Sequence, residues 1–154
     1  MTKYLLNIAL ILTFFTANAQ FNWNSKNWNK KSLGFGCSVD GSMTKPVMKI
    51  IDPFLNKDFG KIRRTLESEL PADQFLAVFL LEHLEKKKEI ELTSVELERI
   101  QQLKSSTELV PVCSGCTYWD EQPLNELLQT KNKHVIYQSA EYWFKNYYKI
   151  YYKK

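Results

Sequence analysis

The sequence predicts an all-α fold, a compact stack of antiparallel helical hairpins with a short extended segment near residues 109–119. Three observations predict this fold class. Apolar residues recur at three-to-four spacing along most of the chain, which is the period of a helix. Residues 75–81 (FLAVFLL) are apolar throughout, so their helix needs neighbours around most of its surface. Thr93 and Glu96 have the spacing of a capping box, which marks a helix start.

The chain divides into a leader, a polar segment and one helical domain. Residues 1–19 are predicted to be a secretory signal peptide, because Lys3 precedes the apolar run YLLNIALILTFF and small residues stand just before the expected cleavage at Gln20. That run is too short to cross a bilayer, which takes about 20 apolar residues. Residues 20–43 are rich in asparagine and glycine and are expected to be extended or loop. Residues 44–154 are expected to form the single helical domain.

The first two helices are predicted from apolar spacing and from the positions of prolines. Residues 44–56 carry apolar side chains on one face, with Thr44 as the expected N-cap. Pro53 is expected to kink or split this helix, because proline has no N–H to donate within it. The next helix is expected over residues 58–69, and it ends before Pro71.

The third and fourth helices supply the expected core. The third, over residues 71–87, contains the apolar run and is predicted to be an interior rod, with lysines in its last turn where the helix dipole favours cations. The fourth begins after Thr93. Its buried stripe is predicted to consist of Leu97, Ile100 and Leu103, which recur at helical spacing.

The C-terminal third of the chain is predicted to contain an extended segment followed by two helices. Residues 109–113 (LVPVC) are β-branched but contain Pro111, which predicts an extended segment or an edge strand rather than a sheet. A short helix is expected to start at Pro123. The last helix, over residues 134–152, carries aromatic side chains at helical spacing, and the predicted buried stripe includes Tyr151.

Two resemblances extend this interpretation. Residues 62–84 (IRRTLESELPADQFLAVFLLEHL) resemble the helix, proline-containing turn and helix of HEAT-like repeats. That resemblance implies a helical scaffold that presents a surface, without catalytic chemistry. The whole chain also resembles uncharacterised small secreted proteins of Bacteroidota, through the signal ending ANAQ and the segments LGFGCS and VCSGC. This second resemblance implies secretion and brings no assigned activity.

Cysteines follow the leader at three positions, Cys37, Cys113 and Cys116. In an oxidising compartment thiols usually pair, and an odd number leaves one over. Cys37 is expected to join Cys113 or Cys116, which would close a long loop and contribute roughly 4 kcal/mol on the chain-entropy model. Otherwise Cys113 and Cys116 bond to each other. The sequence leaves these pairings open.

The CSGC segment, residues 113–116, is the local motif with chemical content. A thiol–disulfide oxidoreductase would use Cys113 as nucleophile and Cys116 as resolving cysteine. However, no helix is predicted after the motif, and the chain lacks the alternating strands and helices of such enzymes. A zinc site would need His83 or His134 as a further ligand, and neither lies at ligand spacing. No catalytic residue, metal or cofactor is therefore predicted, and the redox protein remains the alternative.

The net charge and the composition limit the classes of partner that are expected to bind. The net charge is +4, of which Lys3 in the leader supplies one unit. This weak charge favours mild attraction to anionic envelope surfaces but not nucleic-acid binding, which needs a dense basic stripe. No later segment is long and apolar enough for stable membrane insertion after cleavage of the leader.

Tyr148 and Tyr152 fall off the predicted stripe of the last helix and are the candidate partner surface. We therefore expect a secreted or periplasmic, non-enzymatic interaction or structural module that is braced by a disulfide. Its expected partner is an unidentified protein or envelope component, and the sequence leaves its oligomeric state open.

Overall fold

The computed structural model describes residues 28–129 and 134–153, so the predicted signal peptide lies outside the described residues. A 3₁₀ turn spans Thr65–Glu67. The helices and strands are, in chain order, α1 Trp28–Lys31, α2 Lys45–Leu55, α3 Phe59–Arg64, α4 Pro71–Lys86, α5 Ser94–Lys104, β1 Leu109–Ser114, β2 Tyr118–Pro123, α6 Leu124–Leu127 and α7 Val135–Tyr151.

The all-α prediction is wrong, although helices make up most of the described residues. Strands β1 and β2 form a two-stranded antiparallel sheet, in register from Leu109 opposite Pro123 to Ser114 opposite Tyr118. The sequence of β2, YWDEQP, gives no strand signal because its side chains are exposed or only partly buried. A strand without a buried face shows no alternation of apolar and polar residues.

Pro111 fits into β1 because of the direction in which its missing N–H would point. The carbonyl of Pro111 accepts from the N–H of Leu33 at 2.8 Å, and the N–H of Cys113 donates to the carbonyl of Leu33 at 3.0 Å. The backbone groups of Pro111 and Cys113 therefore point away from β2. The missing N–H of the proline costs no hydrogen bond between β1 and β2. Residues 33–38 run parallel to β1 along this second edge.

Helix α4 is the interior rod that its composition predicts. Each residue from Ala72 to Leu81 is buried, and the core that surrounds it draws side chains from all the longer helices and from β1. Pro71 takes the first helical position, where a missing N–H has no partner to lose. The helix packs against α2, α3, the 3₁₀ turn, β1 and α6.

The capping box predicted at the start of α5 is confirmed. The N–H of Glu96 donates to the hydroxyl of Thr93 at 3.3 Å, and the N–H of Thr93 donates to the carboxylate of Glu96 at 2.8 Å. Two orphan backbone donors are satisfied in this way, so the sequence places the start of the helix correctly.

Several local expectations differ from the structure. Pro53 lies inside α2, which continues without a split. Leu97 is 45% exposed, because α5 turns only Ile100 and Leu103 into the core. Tyr151, expected in the buried stripe of α7, is 44% exposed, whereas the next residue, Tyr152, packs against the core. Within the segment that was expected to be extended, α1 forms a single helical turn.

Candidate functional site

A disulfide joins the N-terminal segment to the sheet. Cys37 and Cys113 are bonded, with their Cα atoms 5.7 Å apart, and both are fully buried. Backbone hydrogen bonds hold the two chains together beside the bond: Gly115 donates to the carbonyl of Gly36 at 2.7 Å, and Ser38 donates to the carbonyl of Gly115 at 3.0 Å. Of the pairings that the sequence leaves open, the structure contains Cys37 with Cys113.

Gly34 makes room for this disulfide. A Cβ atom at Gly34 would stand 2.2 Å from the sulfur of Cys37 and 2.4 Å from that of Cys113, which is closer than atoms can approach. Thr44 helps to hold the backbone of Gly34 in place, because its hydroxyl accepts a hydrogen bond from the N–H of Gly34 at 3.2 Å. The role of Gly34 is not evident from the sequence, because a glycine-rich segment predicts a loop without indicating which residues lie against it.

Cys116 is a free, exposed cysteine at the tip of the β1–β2 hairpin. It follows Gly115, whose φ of 62° lies in the left-handed region that tight turns use. Cys113, its proposed redox partner, is buried and bonded to Cys37. The structure therefore does not contain the Cys113–Cys116 pair on which the redox alternative depends.

The two candidate partner-surface tyrosines have intramolecular contacts. Tyr148 is 8% exposed, and its hydroxyl donates to the carboxylate of Glu89 at 2.7 Å, which raises the pKa of Tyr148 to about 12. Tyr152 stacks on Tyr148 with ring centroids 4.9 Å apart. Its hydroxyl donates to the carbonyl of Phe54 at 2.5 Å, and burial raises its pKa. That these tyrosines contact a partner protein stays a prediction.

His83 packs among aromatic side chains at the end of α4. Its ring centroid lies 4.1 Å from that of Phe79 and 5.0 Å from that of Phe144. Its Nδ1 lies 2.8 Å from the carbonyl oxygen of Phe79, so Nδ1 carries the hydrogen and donates it. Burial lowers the pKa of His83. Among the described residues no group of three or more His, Cys, Asp or Glu side chains is arranged to hold a metal ion.

A basic groove of about 620 Å³ lies between the end of α4 and helix α7, and we call it the lysine groove. The acidic Glu141 also lines it. In the described parts of the chain none of its lysines forms an ion pair, whereas lysines and arginines elsewhere do, for example Lys49 with Asp73 at 2.8 Å. The lysines of the groove are Lys86, Lys87, Lys145, Lys149 and Lys153.

An aromatic groove of about 450 Å³ adjoins the lysine groove. Tyr142, which is 72% exposed, and Gln138 line both grooves. The indole nitrogen of Trp143 is buried and has no hydrogen-bond partner in the described structure. The other residues that line the aromatic groove are Phe35, Gly36, Met43, Ser114, Val135, Ser139, Asn146 and Tyr147.

Neither groove is evident from the sequence, because the residues that line each groove come from segments that are far apart in the chain. Lys86 and Lys87 stand at the end of α4, whereas Lys145 and Lys149 belong to α7 and Lys153 follows it. The available signal was the repeated lysine in the aromatic C-terminal helix. By itself that pattern indicates only the solvent-exposed face of a helix.

Comparison with models of protein families, with curated proteins and with solved structures finds no match. The resemblances to HEAT-like repeats and to secreted Bacteroidota proteins therefore stay predictions. None of the helices within residues 28–129 and 134–153 has the length and apolar character needed to cross a membrane. The disulfide and the two grooves are the features from which a function is inferred.

Proposed function

We propose that the protein is a non-enzymatic interaction or structural module that acts outside the cytoplasm, either secreted or periplasmic, with the Cys37–Cys113 disulfide as its brace. The buried disulfide is the observation that carries this proposal. Disulfides persist in oxidising compartments and are rare where glutathione and thioredoxin keep thiols reduced. The leader predicted over residues 1–19 indicates the same compartment.

A structural role for the disulfide is supported by what it connects. It ties residues 33–38 to β1 across 76 positions of the chain. Cross-links that close long loops stabilise a fold by restricting the unfolded chain. A catalytic disulfide, in contrast, needs an accessible, low-pKa thiolate, and Cys113 is fully buried.

Location and pairing are tested together by expressing the full-length sequence in a bacterial host and digesting the product without reduction. We expect a product in the extracytoplasmic fraction that begins at Gln20, with a cross-linked peptide pair containing Cys37 and Cys113. Cys116 should be alkylated without prior reduction. An unprocessed chain that stays in the cytoplasm with three free thiols would contradict the proposal.

The absence of redox catalysis is tested with a small disulfide substrate. We expect the steady-state rate of thiol–disulfide exchange to equal the uncatalysed rate once Cys116 has formed at most one equivalent of mixed disulfide, because Cys113 is bonded to Cys37 and does not resolve it. The matched control is a Cys116→Ser variant, which should behave in the same way. Turnover by the wild-type protein that Cys116→Ser abolishes would support the redox alternative instead.

A further inference from the structure

The lysine groove presents positive charge in a row. Lys145 and Lys149 are four residues apart on α7, so they lie on one side of the helix about 6 Å apart, with Glu141 one turn before them. Lys153 follows the end of α7 and lines the same groove. Lys86 and Lys87 approach from the end of α4. None of these ammonium groups has an ion-pair partner among the described residues, although Lys87 lies over the ring of Tyr148 at 5.7 Å from its centroid, so the groove can pair with an external anion. A row of charges suits a ligand whose anionic groups repeat along a chain.

The residues around the groove lysines indicate which class of anionic polymer fits the site. Tyr142 stands on the border of the two grooves with 72% of its surface exposed, and the amide of Gln138 lies beside it. An aromatic face packs well against the C–H face of a sugar ring. The aromatic groove continues this mixture with Trp143, Tyr147 and Asn146.

Two other classes of anionic partner fit the grooves less well. The lining residues, all of them within the described part of the chain, include no arginine. Arginine is the side chain that nucleic-acid recognition favours, because its planar group stacks on bases as well as pairing with phosphates. A bilayer surface is bound by a protruding apolar helix face, whereas these residues line concave grooves.

We propose that the lysine groove, with Tyr142 at its edge, is a binding site for an anionic polysaccharide, a sugar chain that carries carboxylate or sulfate groups. The lysines pair with the repeated anions, and Tyr142 packs on a sugar ring. The inference rests on the proposed function, because it specifies the chemical class of the envelope component that is the expected partner.

The test compares two anionic polysaccharides with an uncharged one, using protein expressed from the full-length sequence with its disulfide intact. Binding to dextran sulfate and to polygalacturonate is measured by titration calorimetry, with uncharged dextran as the reference. We expect one or both anionic polymers to bind and dextran to show no binding. The affinity should fall as salt is added, because the pairs are exposed. Equal binding to uncharged dextran, or no binding to either anionic polymer, would overturn the proposal.

Two triple variants locate the site. Lys145→Gln/Lys149→Gln/Lys153→Gln should weaken binding about tenfold, the combined effect of three exposed ion pairs. Lys30→Gln/Lys45→Gln/Lys61→Gln removes the same charge from exposed positions outside the groove and should change affinity by less than about twofold. Equal losses in both variants would mean attraction to the net charge alone, and would refute the groove as the site.

The sugar contact is tested at Tyr142. Tyr142→Ala should weaken binding about fivefold, and Tyr142→Phe should restore it, because the ring makes the contact. An unchanged affinity in Tyr142→Ala would refute the sugar contact. Tighter binding to anionic lipid vesicles or to a single-stranded oligonucleotide would assign the groove to those ligands instead. These titrations use purified protein, so their failure is distinguishable from a failure of the proposed extracytoplasmic location.

Discussion

Gly34 occupies a position where a single added carbon would collide with two sulfur atoms. We predict that Gly34→Ala lowers the free energy of unfolding by about 3 kcal/mol, because the disulfide or the backbone of β1 must shift to make room. Equilibrium unfolding in urea measures the loss. Mass spectrometry without reduction reports whether Cys37 and Cys113 still pair.

Gly36 supplies the matched control for this substitution. A Cβ atom at Gly36 would have the carbonyl oxygen of Gly41 at 3.7 Å as its nearest neighbour, which is an ordinary contact. Gly36→Ala should therefore change stability by less than about 0.5 kcal/mol. Similar losses in the two variants would show that general loop flexibility, and not space for the disulfide, requires glycine here.

His83 is the side chain from which we expect a pH dependence of stability. Burial lowers its pKa below the ordinary 6.5, against the opposite influence of its bond to Phe79 and of Glu141 and Glu82. The unfolded state therefore binds the proton more readily. The contribution of neutral His83 to stability is complete above pH 6.5 and declines as the pH falls toward the lowered pKa.

We predict that His83→Gln reduces the difference in stability between about pH 7.5 and pH 5, because glutamine does not titrate. Urea unfolding of both proteins at the two pH values measures this difference. The variant also loses packing against Phe79, which lowers its stability at both pH values alike. A difference as large in His83→Gln as in the wild-type protein would show that other groups cause the pH dependence.

At the scale of the element, the capping box of α5 is the feature most directly tied to sequence. We predict that Thr93→Ala lowers the free energy of unfolding by about 1 kcal/mol, since the N–H of Glu96 loses its acceptor. Ser94→Ala is the control, because Ser94 is the exposed first residue of the helix and does not cap it. Chemical denaturation monitored by circular dichroism compares the two variants, and equal losses would contradict the capping role.

The elements differ in how well sequence predicts them, and the difference has a physical cause. α4 was predicted over residues 71–87 and spans Pro71–Lys86, because a proline and a long apolar run are local signals. β2 was missed, because its hydrogen bonds depend on β1 and its side chains have no buried face. Tyr148 falls off the expected stripe of α7 but is buried, because its ring stacks between those of Phe144 and Tyr152.

At the scale of the whole molecule, the disulfide closes a loop between cysteines 76 positions apart. We predict that Cys37→Ala/Cys113→Ala lowers the free energy of unfolding by roughly 4 kcal/mol, the chain-entropy value for a loop of this length. Urea unfolding measures the loss. Cys116→Ser, which changes the exposed thiol, should leave stability within about 0.5 kcal/mol of the wild-type protein. A double variant as stable as the wild-type protein would contradict the bracing role.

Candidate sites were only partly predictable at this scale. The three cysteines were identified from the sequence, but their pairing depends on residues 33–38 lying along β1, which no local pattern indicates. The lysine groove depends on α4 and α7 meeting, although Lys87 and Lys145 are far apart in the chain. Long-range contacts of this kind are fixed by tertiary packing, so a single sequence shows the residues without their arrangement.

The bond between Cys37 and Cys113 also makes a covalent ring of the polypeptide between them, a ring that includes α2 to α5. One proteolytic cut anywhere in residues 38–112 opens this ring without releasing a fragment, because both new ends remain attached through sulfur. A nicked molecule would keep its mass, apart from one added water, until a reductant separated the pieces. The ring thus gives the chain a tolerance to single cleavage that a linear polypeptide of the same fold would lack.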